Sequence, residues 1–139
     1  MHSLYEIETT IKRSSRAEGL SWGVSEEAGK AVRLLEQSEF QGLESFRRLI
    51  DLGLNNLNKL LDVDQSNTRN LCPIHFGIFF LDQSHNKELH RTYNFKNINE
   101  PLLIVPFLSK SAKKKPTIFS FKIARFKFYY KSWRNLFYK

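Results

Sequence analysis

One cysteine, Cys72, stands in 139 residues, so no disulfide can form within the chain and nothing in its cysteine usage calls for an oxidising compartment. A structural zinc site usually takes about four Cys or His ligands in spaced pairs. This chain offers one Cys and four His, with His2 near its start, so no metal is expected. The six glycines are scattered and form neither a phosphate-cradling P-loop nor a dinucleotide fingerprint, which disfavours nucleotide chemistry. No cofactor is expected. The longest apolar stretches, 76–81 and 102–108, fall far short of the ~20 residues that span a bilayer as a helix, and no transmembrane segment is expected. Met1 to Thr10 carries Glu6 and Glu8 and lacks the apolar core of a secretory signal. The expected location is cytoplasmic.

Acidic residues are missing altogether from Lys110 to Lys139, where eight Lys and two Arg stand. The chain's +8 therefore divides into a body of −2 and an end of +10, a pattern that suits contact with polyanions more than it suits chemistry. Aromatic residues make up 14% of the chain and crowd the same end. A chain of this length can bury about two-thirds of its unfolded surface in one domain without disulfides or metal.

Ser3 followed by Glu6 is a capping-box pattern, and it predicts a helix over roughly 4–18 with Leu4, Ile7 and Ile11 on one face and Gly19 as its stop. A second helix is predicted from about Val24 to Ser38, burying Val24, Ala28, Ala31, Val32 and Leu35. Gly29 inside it costs ~1 kcal/mol relative to Ala, so close packing against the first helix or the Trp22 ring is the expected compensation. Helical spacing resumes from Gly42 to Leu61, with Gly53 placed to bend or divide it. Asp62 to Asn70 reads as a loop. Pro73 to Leu81 reads as a buried strand, with Leu89 to Phe95 as its hairpin partner. Pro106 is suited to opening a helix to Lys114. Beyond Thr117 the alternation changes phase after Ala124, which excludes one continuous strand; Tyr129 to Lys139 fits a basic amphipathic helix.

The expected fold class is α+β, three amino-terminal helices packed beside a small, mainly antiparallel sheet. The expected organisation is a globular body over 1–109, helical to 62 and mixed over 71–109, followed by a basic aromatic segment over 110–139 made of a strand and a helix.

Ser3-Leu-Tyr-Glu-Ile-Glu8, then Lys12, Arg16 and Gly19, then Ser21-Trp-Gly-Val-Ser-Glu-Glu-Ala-Gly-Lys-Ala-Val-Arg33 resemble the amino-terminal signature of an uncharacterised bacterial family, a domain of unknown function. The likeness is fairly specific over 3–35, weaker through Cys72-Pro73 and Pro101-Leu-Leu-Ile-Val-Pro-Phe107, and fades after about Lys122. It implies a bacterial cytosolic protein and transfers no catalytic residue.

Trp22, Glu26, Glu27, Lys30 and Arg33 could line a small-molecule pocket, with the indole as a wall and the charges orienting a ligand. The same residues have a plainer use: carboxylates complement the start of a helix, Glu26 and Glu27 pair with Lys30, and Trp22 plugs a gap in the core. Cys72 and His75 are spaced to act as nucleophile and base, or Cys72 is a small buried hydrophobe. Lys113, Lys114, Lys115, Lys122, Arg125, Lys127, Lys131 and Arg134, interleaved with aromatic rings, suit phosphate neutralisation with base stacking, or an anionic membrane surface, or simply a solvated or packed end. The leading functional expectation is a non-catalytic binding or accessory protein with an unidentified protein partner. Non-specific association with nucleic acid or an anionic surface through the basic end comes second, and a small-molecule enzyme third.

Overall fold

Ser3 opens the first helix as its pattern requires: its Oγ accepts the Glu6 amide at 3.1 Å, and the Glu6 carboxylate accepts the Ser3 amide at 2.8 Å. A computed structural model describes residues 2–61, 69–83, 95, 98–114, 120–123 and 126–129, by backbone alone for 112–114 and the last two stretches. Helix α1, Leu4–Ala17, buries Ile7, Ile11 and Ser15 and stops where Gly19 turns the chain at φ +94°. Helix α2, Trp22–Gln37, starts earlier than its apolar pattern suggests, because Ser21 accepts the Val24 amide and caps it. The two helices run antiparallel and approach closely at Gly29. A Cβ there would stand 2.8 Å from the Glu8 carbonyl oxygen, so the expected compensation for this glycine is contact with α1 and not with the Trp22 ring.

Helix α3, Gly42–Leu52, has no cap from its own Gln41; Glu36 of α2 reaches over and accepts the Leu43 amide at 2.7 Å. Gly53, at φ +83°, divides the helical stretch as anticipated, and only one 3-10 turn, Leu54–Asn56, follows. Asn58, Leu71 and Ile98 then meet in isolated parallel bridges.

Pro73 to Leu81, expected as a strand, is helical. Helix α4 runs Pro73–Asp82 with proline in its first turn, where a missing amide donor costs nothing and the fixed φ favours helix. Its apolar residues surround it, so it carries no 3.6-residue stripe, and a short buried helix of that kind reads like a buried strand. Pro101–Ile104 forms a second 3-10 turn, and α5, Val105–Lys114, follows with Pro106 in its first turn. Ser120–Ile123 and Phe126–Tyr129 pair antiparallel, Ser120 opposite Tyr129 and Ile123 opposite Phe126, and the phase break after Ala124 falls between them. The expected α+β architecture is thus corrected: among the described residues the body is five α-helices, and the sheet expected beside three helices is replaced by α4, α5 and their connections. The loop positions 62–68, the hairpin partner Leu89 to Asn94 and the terminal helix from Tyr130 on lie outside the described residues.

Two buried clusters hold these helices together. The larger joins Ile11, Val32, Leu35, Phe46, Leu49, Ile74 and Phe107 from all five helices; the smaller joins Leu60, Leu71, Phe76, Ile104 and Leu108. Helix α4 serves both, Ile74 in one and Phe76 in the other, which is why it is apolar on all sides.

Candidate functional site

The five residues singled out at the start of α2 share a helix, but they turn outward to neighbouring helices instead of converging on one point. Glu26 accepts from Lys12 of α1 at 3.1 Å, and Arg33 donates to Glu8 of α1 at 2.8 Å. Glu27 lies 3.6 Å from Lys30 and 3.3 Å from Lys110 of α5. Lys110 has no place in the sequence reading of this site, since 83 positions separate it from Glu27. Trp22 is 63% exposed and therefore plugs no gap in the core. The Arg16 guanidinium sits over its ring, 4.4 Å from the centroid, with the Lys12 ammonium at 5.9 Å.

This arrangement has a chemical consequence. The Lys12 hydrogen bond and charge hold the Glu26 carboxyl below its ordinary range, so it is ionised at neutral pH and holds no proton to give as a general acid. Ion pairs this exposed contribute little to stability, so they orient α1 on α2 more than they stabilise the fold. A second pair of the same kind was invisible in the sequence. Arg48 of α3 grips Glu100 with both nitrogens, Nε at 2.9 Å and Nη2 at 3.1 Å, across 52 positions.

Cys72 is the N-cap of α4 and 2% exposed. Burial pushes its thiol pKa up, against the opposing pull of the His75 and Ile74 amides. A thiol at a helix start is a reactive thiolate only when that pull wins, and here burial does. His75 meets Cys72 through its main chain, while burial, aided by Lys59, lowers the imidazole pKa to about 4. Its buried Nδ1 has no hydrogen-bond partner. The spacing therefore brings the two residues together without making a thiolate–imidazolium pair.

The neutral imidazole has a consequence for stability. A folded pKa near 4, against 6.5 in the unfolded chain, means that the stabilising neutral form is complete above pH ~6.5 and lost as pH falls to about 4. Urea unfolding should show about 1 to 2 kcal/mol lost across that window, the larger linkage value being reduced by solvent screening. His75→Leu should flatten the profile between those limits; an unchanged slope would remove His75 as its source.

Of the basic candidates, Lys113 and Lys114 lie in the last turn of α5, and Lys122 and Lys127 are opposite each other in the antiparallel pair. Lys115, Arg125, Lys131 and Arg134 lie outside the described residues, as do His85 and His90. Among the described residues no three metal-ligating side chains gather, and no helix is long and apolar enough to cross a membrane.

Residues 2–87 match the family described as Protein of unknown function (DUF3726). The chain belongs to that family. The DUF3726 span takes in α1 to α4, and so the outward-facing pairs of the α1–α2 hairpin and the Cys72–His75 turn. Helix α5 and the +10 segment lie beyond it. No curated protein and no solved structure matches the chain.

Proposed function

We propose that this DUF3726 member is a non-catalytic binding or accessory protein of a bacterial cytosol. One observation carries the reading: three ion pairs match side chains of the α1–α2 hairpin to partners on neighbouring helices at the surface, Lys12 to Glu26, Glu8 to Arg33 and Glu27 to Lys110. Catalytic groups are instead set in desolvated clefts that drive neighbouring pKa values apart. The buried thiol of Cys72 and the neutral imidazole of His75 point the same way. A thermal-shift screen of the full chain against metabolite and cofactor libraries tests this. The expected result is no hit whose stabilisation disappears in Cys72→Ala; a hit that does, with turnover, replaces this reading with an enzyme.

The +10 charge of 110–139 favours polyanion association as the second reading. Counterion release makes such binding fall with salt, by ~0.7 to 0.9 in logarithmic slope for each phosphate neutralised. Replacing Lys115, Lys122, Arg125, Lys127, Lys131 and Arg134 by Gln should flatten that slope and weaken binding to heparin and to nucleic acid alike. Equal slopes before and after would rule the segment out.

A further inference from the structure

Strands β1, Ser120–Ile123, and β2, Phe126–Tyr129, pair with Phe121 opposite Phe128 and Ile123 opposite Phe126. Residues directly opposite share a face of the pair, and so do residues two apart along a strand. The register therefore gathers Phe121, Ile123, Phe126 and Phe128 on one face, and Lys122 and Lys127 with Ser120 and Tyr129 on the other. The phase change after Ala124 is what makes the apolar face continuous: its positions are odd-numbered in β1 and even-numbered in β2, and the pairing of Ile123 with Phe126 joins the two sets. Such a hairpin calls for something to cover it. Two strands by themselves are marginal in water; among the described residues the sheet has no third strand and no helix packs along either strand. The second face carries a cost of its own. Like charges directly opposite destabilise an antiparallel pair, Lys122 stands opposite Lys127, and the segment from Lys110 to Lys139 holds no acidic residue to relieve them. A fitting occupant offers an apolar layer to one face and anions to the other.

We infer that this hairpin lies in the surface of an anionic lipid bilayer, the face of Phe121, Ile123, Phe126 and Phe128 at the acyl boundary and the face of Lys122 and Lys127 at the level of the lipid phosphates. The inference rests on the polyanion reading and adds to it which polyanion is bound and by which residues. The dimensions agree. An interfacial element buries its apolar face by ~5–10 Å at the boundary between headgroups and acyl chains, and one sheet with its side chains is about 10 Å thick, so the opposite face is left among the headgroups. There each lysine near an anionic surface gains attraction, and the opposition of Lys122 to Lys127 is relieved by the phosphates between them. Single-stranded nucleic acid fits less well. Bases stacked on the phenyl rings would bring their phosphates to the apolar face, away from the two lysines. A second copy of the chain seated on the apolar face would leave the opposed lysines as they are.

The test uses the full chain, sedimented with vesicles of phosphatidylcholine alone and of an equal mixture with phosphatidylglycerol, with heparin and labelled oligothymidylate measured alongside. The wild type should bind the mixed vesicles in preference to the neutral ones. Phe121→Ser together with Phe128→Ser should weaken that binding by about tenfold to a hundredfold and leave heparin affinity unchanged. Phe121→Leu together with Phe128→Leu keeps the face apolar without its rings and should retain most of the vesicle binding. Lys122→Gln together with Lys127→Gln should cost about tenfold on the mixed vesicles. Vesicle binding untouched by the serine pair, or equal on the two kinds of vesicle, overturns the inference while heparin binding keeps the polyanion reading standing. Oligothymidylate binding that the leucine pair loses, without vesicle binding, assigns the rings to base stacking and also overturns it. Circular dichroism and light scattering cover the two remaining occupants. A lowered melting midpoint of the helices in the serine pair places the apolar face against the body, and a wild-type dimer that the serine pair dissociates gives it to a second copy; either result overturns the inference. Absence of binding to heparin, oligothymidylate and vesicles alike removes the polyanion reading itself.

Discussion

Phe107→Ala should lower the unfolding free energy by about 3 to 5 kcal/mol, the range for deleting a buried phenyl ring and leaving a cavity. Phe107 is 1% exposed and belongs to the larger buried cluster, where its side chain packs against Gly77 of α4. That contact is possible only because α4 carries glycine at 77. The helices cannot collapse freely into the space the ring vacates, since α5 is also fixed by Leu108 in the second cluster and by Lys110 on Glu27. Urea or guanidinium unfolding measures the effect as a shifted midpoint at nearly constant slope. A loss below about 1 kcal/mol would mean that Phe107 does not join α4 to α5.

Gly77→Ala should be the counterpart from the other side, at about 2 kcal/mol. An added Cβ would stand 2.8 Å from Phe107 Cβ and closer still to Cγ and Cδ2, inside any tolerable contact. Overpacking of this kind costs about 1 to 3 kcal/mol. Alanine's better helix propensity returns ~1 kcal/mol, but two ring atoms and Cβ of Phe107 in the way place the steric cost at the upper end. A double-mutant cycle separates the two effects. Phe107→Ala removes the clashing Cγ and Cδ2, so Gly77→Ala in that background should cost at least ~1 kcal/mol less than in the wild type. Strict additivity would show that the cost at Gly77 has a source other than Phe107.

The same contact shows why α4 was misread from its residues alone. Ile74, Phe76, Ile78, Phe79, Phe80 and Leu81 present no polar face, and a run this short supports helix and strand equally by periodicity. Pro73 was the available signal, since proline is favoured in the first turn of a helix, yet it also begins strands. Which structure forms is decided by neighbours distant in sequence: Phe107 on Gly77, and the ring of Phe95 edge-on to Phe76 at 4.8 Å. The site was legible in part. Glu26, Glu27, Lys30 and Arg33 recur at helix spacing on α2, so their sharing a helix could be read directly. Their pairing with Lys12, Glu8 and Lys110 could not, because no local rule says which helix comes alongside. Trp22 shows the same divide, being equally fit by composition for a core and for a surface.

Residues a few positions apart were enough to determine where α1 begins at Ser3, where it stops at Gly19, how Gly53 interrupts the chain and how Pro106 opens α5. Those outcomes depend on hydrogen bonds and backbone angles within one or two turns, and such local preferences act whatever surrounds them. The helical state of α4, the exposure of Trp22, the neutral imidazole of His75 and the Arg48–Glu100 grip were decided only by the assembled molecule. Each depends on burial or on a partner from another part of the chain, and both come into being only when the helices pack.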